Sequence, residues 1–141
     1  MQELTSGKNW ELLEKAKIET EHDIVKTRQT VRHFAKLKGM GIVEQTRITT
    51  AVSELFRNMY NYAGGGEVVI ESGEVENHNA LIITCVDQGP GIKDIELALS
   101  DGYSTGSGMG YGLPGAKRLV DNFEIFSAPN KGTTVRVMKW K

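Results

Sequence analysis

From Val43 to Ala63 the apolar residues Ile48, Ala51, Val52, Leu55, Phe56, Met59 and Ala63 recur at i, i+3, i+4 and i+7, a spacing that gathers them along one face of an α-helix. Such a face has to be buried, so the segment predicts a core helix. Gly64-Gly-Gly66 stops it, and the pattern changes at once to two apolar runs of strand length, Glu67-Val-Val-Ile-Glu-Ser72 and Ala80-Leu-Ile-Ile-Thr-Cys-Val86. With the polar connector Gly73 to Asn79 between them they read as a hairpin. A long amphipathic helix that runs directly into antiparallel strands leaves few architectures open.

The remaining segments fill in the same plan. Lys17 to Thr20 reads as a short strand, and Asp23 can cap a helix to about Lys38 with Ile24, Val31, Phe34 and Ala35 inward. Ile95 to Leu99 reads as a short helix. Pro114 suits the first turn of another reaching about Asn122, and Phe123 to Ser127 and Thr133 to Trp140 read as closing strands. Helices followed by a mostly antiparallel sheet indicate an α+β layered sandwich. The 141 residues contain no repeat or low-complexity linker, which fits one domain from residue 17 to 141 behind an extension at 1–16. In that extension Trp10, Leu13 and Ala16 either line a short helix or pack loosely.

Charge limits the partners. Seventeen Lys plus Arg against 18 Asp plus Glu leave a net charge of -1, so no overall basic field draws in nucleic acid or an anionic membrane. Cys85, the only cysteine, lies within an apolar strand and reads as a small buried hydrophobe. No apolar run approaches the roughly 20 residues of a membrane span, and the first ten residues lack a basic-then-apolar leader. The expected location is the cytoplasm. His22, His33 and His78 have no metal-ligand spacing.

Three motifs carry the chemistry. On the core helix each residue advances roughly 100°, which puts Glu54 and Asn58 on one shoulder of the apolar stripe. They are either an ordinary polar flank or an acid and an amide oxygen held by packing beside a cleft, where they suit a nucleophile and a hard cation. Asp87 ends a buried strand and is followed by Gly89-Pro90-Gly91. This is either an Asp-initiated turn or a carboxylate that accepts a hydrogen bond from the amino group of adenine beside a close backbone. Glycines 106, 108, 110 and 112 precede the helix that starts near Pro114, and can offer backbone N–H groups to phosphate oxygens. Two formal matches in this stretch fail on context. Gly110-Tyr-Gly-Leu-Pro-Gly115 lacks the preceding strand of a dinucleotide-binding turn, and Gly102-Tyr-Ser-Thr-Gly106 lacks the flanking elements of a nucleophile elbow.

Taken together and in order, the motifs resemble the GHKL superfamily of ATP-binding domains. Glu54 to Ala63 is similar to its N box, Val86-Asp-Gln-Gly-Pro-Gly-Ile92 to its G1 box, and Gly106 to Leu113 to its G2 box. Ala51-Val-Ser-Glu-Leu-Phe-Arg-Asn58, Asp87-Gln-Gly-Pro-Gly-Ile92 and Gly110-Tyr-Gly-Leu-Pro-Gly-Ala-Lys-Arg-Leu119 further resemble the RsbT-type serine kinases of bacterial stress signalling. The resemblance implies a two-layer α/β sandwich whose mixed, mostly antiparallel sheet is covered by helices on one face. It implies ATP and Mg2+ as cofactors, Glu54 as general base, Asn58 as the metal ligand and Asp87 as the adenine-recognition acid. Gly89 and Gly91 would shape the base pocket, Gly106, Gly108, Gly110 and Gly112 would line the phosphates, and Thr133 would lie near the adenine. Ser107 stands where related kinases often carry a basic residue, and Lys117 and Arg118 are candidates to compensate the charge.

The implied activity is phosphorylation of serine or threonine on STAS-domain proteins within a stressosome-type complex, with a PP2C-type phosphatase or another output protein as second partner. The competing expectation is a nucleotide-gated module that sequesters a regulator without phosphorylating it. A pure binder would not need Glu54.

Overall fold

The computed structural model describes residues 10–92 and 113–141. In chain order they form β1 (Glu11–Ile18), α1 (Glu21–Leu37), α2 (Ile42–Ala63), β2 (Gly66–Val75), β3 (His78–Asp87), α3 (Leu113–Leu119), β4 (Asn122–Ser127) and β5 (Thr133–Trp140). The strands make one sheet in the order β1-β2-β3-β5-β4, and each described pairing is antiparallel. The α+β two-layer expectation holds. The sheet is antiparallel throughout the described strands rather than mixed.

The start of the chain corrects the sequence reading. Leu13 and Ala16 lie on β1, which begins at Glu11 rather than Lys17, and not on a helix. A bulge between Leu12 and Glu14 resets the alternation, so Leu13 and Ala16 both pack on the helix-covered core although they are an odd number of residues apart. That bulge is why a strand showed the three-residue spacing of a helix. Trp10 packs instead on the other face, with Val75 and Trp140 around the buried Ala80, Ile82 and Met138.

Helix α1 starts one turn earlier than Asp23. Thr20 is its N-cap, its hydroxyl accepting from the Asp23 N–H while the Asp23 carboxylate accepts from the Thr20 N–H, a capping box that satisfies two otherwise orphaned donors. Helix α2 carries the predicted stripe inward, with Ile48, Ala51, Val52 and Phe56 fully buried. It ends at Gly64, whose φ of 74° is the left-handed conformation that favours glycine. The hairpin is longer than the sequence suggests. Its strands run to Val75 and from His78, and the turn is Glu76-Asn77 with φ of 51° and 66°, the two-residue geometry that matches strand twist.

Strand β3 lies at the middle of the sheet, and its near-continuous apolar run follows from burial on both faces. Leu81, Ile83 and Cys85 face the helices, while Ala80 and Ile82 face the smaller outer cluster. Arg136 closes that outer side, its Nε donating to Thr84 Oγ1 at 2.9 Å and its guanidinium lying 5.2 Å from the Trp10 ring. Helix α3 has Pro114 in its first turn as expected but stops at Leu119. The expected helix at Ile95–Leu99 lies outside the described residues. This packing brings the polar shoulder of α2, the end of β3 and the start of β5 to one edge of the molecule. No helix among the described residues is long and apolar enough to cross a membrane.

Candidate functional site

The last turns of α2 and the ends of β3 and β5 enclose a cleft lined by Asn58, Tyr62, Ala63, Asp87, Pro90, Gly91, Ile92 and Thr133. Four residues singled out from sequence, Asn58, Asp87, Gly91 and Thr133, thus meet in space. Helical periodicity explains Asn58 and Tyr62, since residues four apart share a face, and Ala63 is the last residue of α2. Strand register explains Thr133, which is the direct cross-strand partner of Asp87.

Asp87 is held by the backbone around it. The Gly89 N–H donates to its Oδ1 at 2.9 Å and the Thr133 N–H donates to the same carboxyl group. Burial pushes its pKa above the usual aspartate value, and the two N–H donors oppose that shift. The carboxyl is therefore a pinned, half-buried acceptor.

The glycines of the loop after β3 sit in close contact with protein. A Cβ on Gly89 would overlap Ala63 of α2, and one on Gly91, whose φ is 77°, would overlap the carbonyl of Ala128. What glycine permits at both positions is close packing of the loop against protein. Gly132, with φ 74°, is equally constrained because its Cβ would overlap the Asp87 carbonyl.

Ser127, which sequence reasoning did not single out, ties these pieces together. Its Oγ accepts from the Ile92 N–H at 2.8 Å, donates to the Gly132 carbonyl at 2.8 Å and lies 2.9 Å from Thr133 Oγ1. Backbone bonds from Asn130 N to Pro90 O at 2.6 Å and from Gly132 N to Gly89 O at 3.1 Å complete the seam. The loop after β3 is thus fastened to the turn between β4 and β5. Ser127 ends an apolar strand ahead of Ala-Pro-Asn-Lys-Gly132, but its partner Ile92 is 35 residues away, a separation that no local pattern reveals. Gly132, which packs on the Asp87 carbonyl 45 positions earlier in the chain, was missed for the same reason.

Asn58 fits a metal ligand on a structural criterion. Its Oδ1 is buried and has no hydrogen-bond partner among the described residues. A buried carbonyl-type oxygen left unpaired costs about 1–3 kcal/mol, and such an oxygen can bind a hard cation such as Mg2+. No group of three or more His, Cys, Asp or Glu able to hold a metal occurs among the described residues. A cation here would thus depend on ligands outside such a cluster.

Glu54 sits one turn before Asn58 on α2, exposed, and lines a separate groove between α1 and α2 with Arg28, Gln29, Arg32, Thr49, Thr50 and Ser53. The Arg32 Nη2 donates to Thr49 Oγ1 at 3.2 Å across this groove. Among the described residues the Glu54 carboxylate makes no ion pair. A wider cleft on the other side of the β3 end shares Ala63 and Asp87 with the first. Gly106, Ser107, Gly108, Gly110 and Gly112 lie outside the described residues. Lys117 and Arg118 are on α3.

With the geometry established, comparison with known proteins is direct. Residues 43–141 match the family described as histidine kinase-, DNA gyrase B-, and HSP90-like ATPase. The chain is 50% identical over 124 residues to the serine/threonine-protein kinase RsbT of Bacillus subtilis (strain 168), covering 88% of this chain and 93% of that protein. It is 32% identical over 119 residues to an anti-sigma F factor of Thermoanaerobacter sp. (strain X514), covering 80% and 82%. Its fold is similar, at a TM-score of 0.60 and 16% identity, to a crystal structure of the RsbU and RsbW domains of a Mycobacterium tuberculosis protein. That likeness covers 91% of this chain and 32% of the other.

Proposed function

Because the chain belongs to the histidine kinase-, DNA gyrase B-, and HSP90-like ATPase family and is a protein serine/threonine kinase of the partner-switching kind, we propose that it transfers phosphate from Mg-ATP to serine or threonine on a STAS-domain protein. The single observation that carries the site is the convergence of Asn58, Asp87, Gly91 and Thr133 on one cleft, with Asn58 Oδ1 unpaired at its wall. The binding-only alternative gives way to the kinase, given the 50% identity to a kinase over 88% of the chain.

Each residue then has a task. Asp87 accepts a hydrogen bond from the adenine amino group, and the Gly89–Ile92 loop forms the wall beside the ring. Asn58 Oδ1 would hold Mg2+, which when bound would neutralise negative charge on the phosphates. The glycine run at 106, 108, 110 and 112 would supply the phosphate-binding part of the site. Glu54 orients the substrate hydroxyl arriving through the α1–α2 groove. As the serine oxygen bonds to the γ-phosphorus and the bond to ADP breaks, the hydroxyl proton passes to Glu54. Such general-base help contributes on the order of 10² to 10⁴ in rate, and charge stabilisation supplies the rest.

The partners that fit this reading are a STAS-domain substrate, in a stressosome-type complex, and a PP2C-type phosphatase or another output protein that takes the kinase once the substrate is phosphorylated. A phosphoserine adds nearly two negative charges, and a hundredfold loss of affinity, about 2.7 kcal/mol, suffices to exchange partners. Purified chain incubated with γ-labelled ATP and STAS proteins should label one of them on serine or threonine. The phosphorylated product should then bind the kinase more weakly than the substrate. Absence of label on each STAS protein in the presence of Mg2+ overturns the substrate assignment, and equal affinities overturn the switch.

A further inference from the structure

Ser127 and Thr133 define the direction of a proton that faces the cleft. Among the described residues the Ser127 hydroxyl touches three partners: the Ile92 N–H at 2.8 Å, the Gly132 carbonyl at 2.8 Å and Thr133 Oγ1 at 2.9 Å. A carbonyl oxygen has no proton to give, so the single proton of Ser127 goes to Gly132. Ile92 N–H then takes one lone pair of Ser127. The contact with Thr133 can be a hydrogen bond only if Thr133 donates. Both hydroxyl protons are thereby committed, and Thr133 Oγ1 is left with lone pairs alone.

Thr133 is buried, lines the same cleft as Asp87, and is its partner across the β3–β5 ladder. Asp87 as a carboxylate also only accepts. Two adjacent side chains therefore present acceptors to the same space. A ring placed there is favoured if it carries an exocyclic amino group, whose two N–H bonds can serve both. A ring with a keto oxygen at that position meets lone pairs instead, and an unsatisfied polar contact in a desolvated pocket is costly.

We propose that Ser127 is a specificity-determining positioning residue: by committing the Thr133 proton it makes Thr133 acceptor-only and restricts the cleft to nucleotides with a 6-amino purine, against 6-keto purines. This rests on the reading of the cleft as the nucleotide site and adds to it a residue that touches no part of the base.

The test compares ATP with ITP and GTP, since hypoxanthine places a keto oxygen where adenine has its amino group. Affinities are measured by calorimetry for the full chain and for Ser127→Ala, Ser127→Thr and Thr133→Val. The unaltered protein is expected to favour ATP over ITP by at least about tenfold, the factor that corresponds to one hydrogen bond of about 1.4 kcal/mol. In Ser127→Ala the Thr133 proton is released to turn toward a keto oxygen, so the ATP-to-ITP ratio should fall about tenfold, and Ser127→Thr should restore it. A serine that only braces the loop would weaken all three nucleotides by one common factor, and an unchanged ratio in folded Ser127→Ala overturns the proposal. Should Ser127→Ala fail to fold, Thr133→Val decides: a ratio that drops supports Thr133 as the reader, and one that stays constant overturns it. Equal affinity of the unaltered protein for ATP and ITP sinks the role of Ser127 while leaving the nucleotide site in place. Binding of none of the three nucleotides rejects the site and this proposal with it.

Discussion

Asp87 and Thr133 are cross-strand partners at the end of the β3–β5 ladder, and the backbone N–H of Thr133 donates to the carboxyl group of Asp87. The acid is therefore fixed both by the sheet and by the Gly89 N–H of the loop that follows β3, at 2.9 Å. It is also half-buried, and burial raises its pKa above the usual aspartate value.

That shift predicts a trade between stability and binding at Asp87. Its folded-state pKa lies above that of the unfolded chain, so the contribution it makes to stability is present at low pH and lost as pH rises through the folded value. Asp87→Asn removes the buried charge and keeps an oxygen able to accept from Gly89. The variant should melt no lower than the unaltered protein at pH 7, with its advantage shrinking as the pH is lowered through the Asp87 titration. Its ATP affinity should fall by about tenfold or more, since hydrogen bonds to charged acceptors contribute about 1.5–3 kcal/mol. Thermal melts from pH 7 to 4 and nucleotide titrations read the two effects separately.

Asn58 predicts the reverse pattern, a residue whose loss leaves folding nearly untouched. Because Oδ1 makes no hydrogen bond among the described residues, Asn58→Ala should cost no stability without nucleotide, since an unpaired buried oxygen is itself a penalty of about 1–3 kcal/mol that the substitution removes. Its Mg2+-dependent gain in ATP affinity should disappear. Calorimetry with and without Mg2+ checks this, and an unchanged Mg2+ effect would remove Asn58 from the metal site.

Glu54 is exposed and remote from the core. Glu54→Gln keeps its shape and removes its ability to take a proton, so phosphotransfer should drop by a factor on the order of 10² to 10⁴. ATP affinity and melting temperature should stay the same. Single-turnover transfer to the substrate protein is the measurement, and a variant with full rate would require another base.

The glycines separate by their surroundings. Gly91→Ala forces a left-handed φ on alanine and pushes its Cβ into the Ala128 carbonyl. Strain and overpacking together should cost about 2–5 kcal/mol. At Gly115, on α3, an added Cβ meets nothing within 4 Å, and Gly115→Ala should stabilise by about 0.5–1 kcal/mol because the helix interior disfavours glycine. Urea denaturation of the pair gives both numbers, and a Gly91→Ala protein as stable as the original would show that the loop can move aside.

The sequence by itself determined the core helix, the order of the elements and the identity of four cleft residues. Each of these is written in local patterns: the stripe from Ile48 to Met59, the Gly64 stop, and the short motif around Asp87. It misread Leu13 and Ala16, because a bulge in β1 imitates helical spacing, and it ended the hairpin strands early, because Glu76-Asn77 is not a strong turn signal. It was silent on Ser127, Gly132 and the separation of Glu54 from the Asn58 cleft. Only the tertiary structure decided those, since Ser127 meets Ile92 across 35 residues of chain and Thr133 meets Asp87 through strand register. Periodicity fixes which face a residue is on, but a hydrogen bond between distant segments, and the direction of its proton, exists only once packing has brought the two atoms within reach.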